Sequence, residues 1–285
     1  MQWISKGNIL ITGLGLMGGS YAMALSRLGY RVTAIDARPE AIEFALAKGI
    51  IREGSTRAEP RLVSEADAAI FGLYPRVFTE WVTKYGSLFR PGTMLTDVTG
   101  VKSAVVYEVQ KALPPEVEFI ASHPMAGREV YGVENSDDRI FHDANFIVTP
   151  TGKNTPEAVE WCKDLGRILG FRKISVLSPE EHDEMIAFLS QLTHCIAVSL
   201  MDCTDNRHLA DYTGNSFRDL TRIARINENM WSELFVMNRK PLLDKLDTFI
   251  AEIRELRDAL DQGDVEKMRQ KMRLSTERRA WFDVK

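Results

Sequence analysis

The sequence predicts a doubly wound α/β fold with a mostly parallel sheet, followed by an all-helical C-terminal part. Three observations carry this. A glycine cluster follows a short apolar run near the N-terminus, strand and helix signals then alternate, and after Ser178 no further strand signal occurs.

Asn8-Ile-Leu-Ile-Thr-Gly13-Leu-Gly15-Leu-Met-Gly18-Gly19-Ser20 reads as a strand, a turn and a helix N-terminus. Gly13 permits the tight turn, Gly15 lets backbone N–H groups approach a pyrophosphate, and Gly18 allows close strand–helix packing, with the helix dipole favouring an anion. A second strand, Arg31–Ile35, ends in Asp36, close to the offset of ~20 residues expected for a group that grips adenosine ribose hydroxyls. Dinucleotide binding is therefore expected through Gly13, Gly15, Leu16, Met17 and Gly18, with Asp36 and Arg38 at the ribose. A 2′-phosphate would meet the Asp36 carboxylate, which favours NAD over NADP.

Residues 39–48 then read as a helix closed by Gly49, Ala68–Phe71 as a strand before Tyr74-Pro75, and 77–88 as an amphipathic helix. Residues 93–96 form the next strand, reaching Asp97. A helix over 102–112 stops at Pro114-Pro115, and a strand over 117–121 delivers Ser122-His123-Pro124. Residues 146–149 and Lys173–Val176, separated by a helix over 157–169, extend the same sheet and complete a first domain, residues 1–177. Ser178-Pro179-Glu180-Glu181 is a capping box with proline at the first helical position, and opens a helical domain over 178–285. There one helix runs to about Cys203 and another starts near Ser216. A long one carries Leu242, Leu246, Phe249, Ile253, Leu256 and Leu260 at three- and four-residue spacing, a stripe suited to pairing between two chains.

The 285 residues are 45% hydrophobic and 27% charged, ordinary for a soluble globular protein, and the formal charge of −4 argues against nucleic acid or a membrane surface as partner. Three cysteines without a C-x-x-C spacing point to a reducing compartment, hence the cytoplasm. Residues 1–6 leave no room for a signal peptide. Residues 185–201 lack charge but are interrupted by Ser190, Gln191, Thr193 and His194, and read as a buried helix.

In such sheets the glycine turn and every parallel strand end lie on one edge. Tyr74, Pro75, Asp97 and Ser122 are thereby candidates, although polar strand-end residues also serve as turn formers. Pro124 and Gly127 should take the chain out of regular structure and leave the His123 imidazole at the crevice mouth, where it suits a group accepting a hydroxyl proton during hydride transfer. A loop histidine bonded to the backbone is the competing reading. The five histidines lack metal-ligand spacing, so no metal is expected. Gln191 and His194 share a helix face, as a buried polar pair or as substrate contacts, with His182 about a third of a turn away from His194 in a structural role. Arg218, Arg222 and Arg225 recur as one basic stripe, either a solvated face or a carboxylate anchor.

Together these residues resemble the prephenate and arogenate dehydrogenases of tyrosine biosynthesis. The resemblance spans nearly the whole chain and rests on Gly13-Leu-Gly-Leu-Met-Gly-Gly-Ser20, Asp97-Val-Thr-Gly-Val-Lys102, Ser122-His-Pro-Met-Ala-Gly127, Ser178-Pro-Glu-Glu-His-Asp183 and Phe217-Arg-Asp-Leu-Thr-Arg-Ile-Ala224 with Met230-Trp231. It implies a Rossmann domain plus a helical dimerisation domain, a homodimer, and an active site between the two domains. It implies that His123 bonds the ring hydroxyl, that His194 and Arg222 contact substrate, that Glu129, Asp219 and Arg222 form an ionic gate, and that Arg218 and Trp231 lie nearby. Similar proteins often carry a serine where this chain has Gly100, so the hydroxyl that would help orient substrate must come from Thr99, from elsewhere, or be absent. The expected reaction is NAD-dependent oxidative decarboxylation of prephenate, with arogenate as the alternative substrate. More remote alternatives are another dehydrogenase of Rossmann-plus-helical build and a non-catalytic nucleotide sensor. No appended mutase or amino-acid-sensing domain is expected.

Overall fold

The β-branched run Asn8–Thr12 forms the central strand β1, and the glycine turn after it leads into helix α1 (Leu16–Arg27). The structure, a computed structural model, describes residues 7–283; the stretch 1–6 expected to lead into the first strand lies outside them. Strand β2 (Arg31–Ile35), helix α2 (Pro39–Ala47), β3 (Glu53–Ser55), α3 (Pro60–Ser64), β4 (Ala68–Phe71), α4 (Pro75–Tyr85), β5 (Met94–Asp97), α5 (Ser103–Ala112) and β6 (Glu118–Phe119) follow. They build a parallel six-stranded sheet in the order β3-β2-β1-β4-β5-β6, whose direction of winding reverses at β1. That reversal opens a crevice above the strand ends. β3 and α3 are too short for periodicity to reveal, and the sequence reading missed both.

Ile9, Leu10 and Ile11 are wholly buried because helices cover both faces of the sheet. Strand alternation sorts them: Ile9 and Ile11 pack with Tyr21 and Leu25, while Leu10 packs with Phe71, Phe78 and Val105 on the other face.

One expectation fails beyond β6. The strand continues as β7 (Ala121–Met125), leaves the first sheet and pairs antiparallel with β8 (Asn145–Thr149); β8 then pairs parallel with β9 (Lys173–Val176) across helix α6 (Pro156–Ile168). The cause lies in the connections. Residues 126–144 contain only short 3-10 turns, so the chain returns antiparallel, whereas α6 supplies the crossover a parallel pair requires. His123 is therefore inside a strand rather than beyond one. Pro124 is tolerated there because β7 is the edge of the three-stranded sheet.

The capping box at Ser178 forms as expected and starts α7 (Pro179–Ile186), which runs through a π-helical turn, Ala187–Leu192, into α8 (Thr193–Asp202). This continuous helix has the length and apolarity of a membrane span. It is not buried throughout as expected: Phe188, Leu189 and Met201 are exposed, since neighbours cover only one side. Helix α9 (Asn215–Thr221), a 3-10 turn at Arg222–Ala224 and α10 (Glu228–Met237) follow. Because α9 stops at Thr221, Arg218, Arg222 and Arg225 do not form the single helical stripe expected of them.

The chain groups into two compact units, one ending at Asn238 and one starting at Arg239. The second consists of α11 (Arg239–Asp261) and α12 (Val265–Arg279), joined at Gly263 with φ +67° and tied by Lys271 to Glu252 at 2.5 Å and Glu255 at 3.1 Å. The expected stripe is largely open to solvent at Ile253, Leu256 and Leu260.

A Cβ at Gly18 would lie 1.8 Å from the Gly13 carbonyl oxygen, whereas one at Gly15 would meet nothing within 4 Å. Gly18→Ala should consequently lower stability by ~1–3 kcal/mol or more, and Gly15→Ala should leave it nearly unchanged, as read by thermal unfolding of the two variants.

Candidate active site

Asp97 ends β5 and Lys102 precedes α5, and their side chains meet in the interior with no exposure of either, Nζ 2.7 Å from Oδ2. Lys102 also donates to the Ser122 carbonyl at 2.5 Å and to Thr99 Oγ1 at 3.2 Å. The carboxylate accepts from the Thr99 hydroxyl and N–H, and from the Ser122 N–H at 3.1 Å. Filling every remaining hydrogen-bond site is what lets a buried ion pair stand. Burial pushes the Lys102 pKa below the usual lysine value, with Asp97 opposing it. The pair thereby fixes β5 to the peptide that carries His123.

His123 is half-buried, and its Nδ1 lies 2.8 Å from His182 Nε2; His182 Nδ1 lies 2.8 Å from Asp183 Oδ1. The Asp183 oxygens accept the backbone N–H groups of Lys102 and Ser103 at the start of α5, each at 2.8 Å. Burial by itself would raise the Asp183 pKa, but His182 and these two N–H groups hold it below the usual carboxylate value. An ionised Asp183 only accepts. So His182 carries its proton on Nδ1, its Nε2 accepts from His123 Nδ1–H, and His123 Nε2 is left with a bare lone pair. Burial, His182 and Lys102 together hold the His123 pKa well below the usual imidazole value. The chain Asp183-His182-His123 presents a neutral base.

His194 lies on the same long helix. Its Nδ1 donates to the Ser190 carbonyl at 2.8 Å, and its ring stacks on Trp231 of α10 with centroids 3.7 Å apart. Burial lowers its pKa, with Ser190 and Glu129 opposing and Arg222 adding to the effect. Arg222 pairs with Glu129, on the loop that follows His123, so the helical half is tied to the strand of the proposed base. Arg218 and Asp219 are exposed and form no ion pair with a described residue; of the expected gate, Glu129 and Arg222 are the two that meet.

On the nucleotide side Gly13 adopts φ +94°, and no side chain caps α1 at Gly15. The first N–H groups of α1, at Leu16 and Met17, are then free for an anion over a turn kept open at Gly15. These residues fit a dinucleotide. Asp36 accepts the Leu14 N–H at 2.6 Å and the Arg38 N–H at 2.8 Å, and the Arg38 guanidinium donates to the Leu14 carbonyl at 2.9 Å. Tyr74 receives a hydrogen bond from Asn227 at 3.1 Å, and next to Pro75 the Arg76 N–H donates to Glu233 at 2.8 Å. Helix α10 is thus held against the β4–α4 edge.

A family model described as the nucleotide-binding domain of prephenate dehydrogenase matches residues 21–175, and one described as its dimerization domain matches residues 178–274. The chain belongs to the prephenate dehydrogenase family. Among its relatives, prephenate dehydrogenase of Bacillus subtilis is 32% identical, over 92% of this chain and 72% of its own length. Cyclohexadienyl dehydrogenase of Zymomonas mobilis is 28% identical, over 90% and 89%. The crystal structure of prephenate dehydrogenase from A. aeolicus in complex with hydroxyphenyl propionate and NAD+ matches with a TM-score of 0.89 at 30% identity, covering 98% of this chain and 99% of that one.

Within this prephenate dehydrogenase framework three expected ligand contacts change. The Asp97 carboxylate is enclosed by Lys102, Thr99 and Ser122, and the Thr99 hydroxyl is turned inward onto Asp97 and the Val101 carbonyl, so neither side chain is offered to a ligand. Gln191 is 1% exposed and bonded to Asn238 and the Leu234 carbonyl. Conversely, the sequence reading gave His182 only a structural role and assigned no role to Asp183 or Lys102. The available signal was a His-Asp pair in the first turn of a capped helix. Lys102→Met should cost about 3–5 kcal/mol by stranding the Asp97 charge, and Asp97→Asn in the same chain should recover part of it, measured by denaturant unfolding.

Proposed function

We propose that this chain is an NAD-dependent prephenate dehydrogenase that oxidatively decarboxylates prephenate to 4-hydroxyphenylpyruvate in tyrosine biosynthesis. The observation that carries the reading is the hydrogen-bonded chain Asp183-His182-His123, in a protein whose glycine turn is open at Gly15. The bound dinucleotide supplies the hydride acceptor. Gly13, Gly15 and the first N–H groups of α1 would hold its pyrophosphate over a turn that Gly18 keeps closely packed, and Asp36 would hold its ribose. Arg38 is engaged by Asp36 and Leu14, which leaves it poorly placed to welcome a 2′-phosphate.

His123 Nε2 accepts the ring hydroxyl proton as hydride leaves the carbinol carbon. The ring carboxylate departs as carbon dioxide, its bonding pair completing the aromatic ring and passing negative charge to the ring oxygen, which takes the proton back from His123. Aromatisation supplies the driving force, so the protein orients, accepts one proton and holds charge. Arg222 binds the side-chain carboxylate, and His194, held by the Ser190 carbonyl and stacked on Trp231, lines that end of the site. The Glu129–Arg222 pair is largely solvent-exposed, worth ~0–1 kcal/mol, and is readily exchanged for a substrate carboxylate. The apolar stripe on α11 and the matched dimerization domain support a homodimer. Three free cysteines, of which Cys162 is buried, support a cytoplasmic location.

The test is nicotinamide absorbance with prephenate or arogenate on NAD or NADP. Prephenate with NAD should give the highest kcat/KM. His123→Asn should lower kcat by ~10²–10⁴-fold, and Arg222→Ala should mainly raise KM. Absence of turnover on prephenate would remove the reading.

The pH profile gives a separate prediction. The neutral imidazole is the active form and its pKa is depressed, so kcat/KM should hold as pH falls through the ordinary imidazole value of ~6.5 and drop only well below it.

A further inference from the structure

The π-helical turn at Ala187–Leu192 lies between the two ends of the site carried by one helix, His182-Asp183 before it and His194 after it. In a regular α-helix twelve residues separate His182 from His194 by about 120°, at 100° per residue. A π turn takes in one extra residue without advancing the helix phase, which removes about 100° and brings the two imidazoles to about 20° of one another. The contacts around Asn238 agree with this. Residues eight apart in an α-helix diverge by about 80°, yet Asn238 Nδ2 donates both to the Asp183 carbonyl at 2.9 Å and to Gln191 Oε1 at 2.7 Å. Gln191 Nε2 in turn donates to the Leu234 carbonyl at 3.3 Å. All of these groups are buried, and Gln191 and Asn238 are 1% and 2% exposed.

We propose that Gln191 and Asn238 are positioning residues that lock the π turn, and that the locked turn sets His194 in register with the His182-His123 pair. Without the lock the helix relaxes to regular α geometry, and His194 turns by about 100°, away from Trp231 and from the carboxylate end of the site. The role is one of register. One residue of the turn is supernumerary, and deleting it leaves both halves of the helix in phase with no π turn at all. Leu189 is the suitable residue because its side chain is exposed.

This inference rests on the proposed function, and its test has two readouts. In steady-state kinetics Gln191→Ala should raise KM for prephenate about tenfold, the loss of one good contact, with KM for NAD unchanged. Deleting Leu189 in that same variant should restore KM to within about threefold of the parent. The substrate-free readout is the Trp231 emission, taken as the difference from Trp231→Phe. Quenching on protonation of the stacked His194 should be present in the parent, lost in Gln191→Ala and regained with the deletion. A Leu189 deletion that adds to the Gln191→Ala defect or unfolds the chain overturns the proposal, as does an unchanged KM in Gln191→Ala. A parent chain that shows the emission pattern but no turnover counts against the function and leaves the register standing.

Discussion

A lysine and an aspartate that never touch water hold this molecule's chemistry in place. Lys102 and Asp97 sit where β7 leaves the parallel sheet, and Asp97 takes the Ser122 N–H just past the last ladder bond, Ile120 N–H to the Leu95 carbonyl. Lys102 acts twice over. Its ammonium grips the peptide before His123, and its backbone N–H holds the Asp183 carboxylate that fixes the histidine tautomers. A fixed positive charge close to two imidazoles also disfavours their protonation, which keeps the proposed base neutral.

The two ends of the site differ in kind. His123 Nδ1, His182 and Asp183 are paired with one another and with the first N–H groups of α5 inside the protein, so this geometry exists before any ligand arrives. Around Arg222 the charges face solvent and their pairing is weak, which suits a group that must exchange a protein carboxylate for a substrate one. A rigid base and an exchangeable anchor on one helix-and-strand framework match a reaction whose product carries less charge than its substrate.

Much of this was legible in residues close together along the chain. The glycine turn, the strand ending before Asp36 and the capping box at Ser178 each depend on local chemistry, and each formed where the pattern placed it. His123 was legible as a candidate because a histidine beside proline just after an apolar strand signal is a local feature too. The relay behind it was not. His182 lies fifty-nine residues from His123, and nothing in either neighbourhood says that they touch. Asp97, Thr99 and Gln191 show the converse: polar residues at strand ends and on helix faces look the same in sequence whether they face a ligand or one another.

The sequence by itself determined the doubly wound first half, the site of the nucleotide turn and the helical second half, because periodicity, glycine geometry and capping act over a few residues. Tertiary structure decided the antiparallel departure of β7, the buried ion pair at that fork, the hydrogen-bonded chain of three side chains and the π turn between His182 and His194. Those features arise from packing between distant segments, where burial makes each hydrogen bond obligatory and no local pattern records the partner.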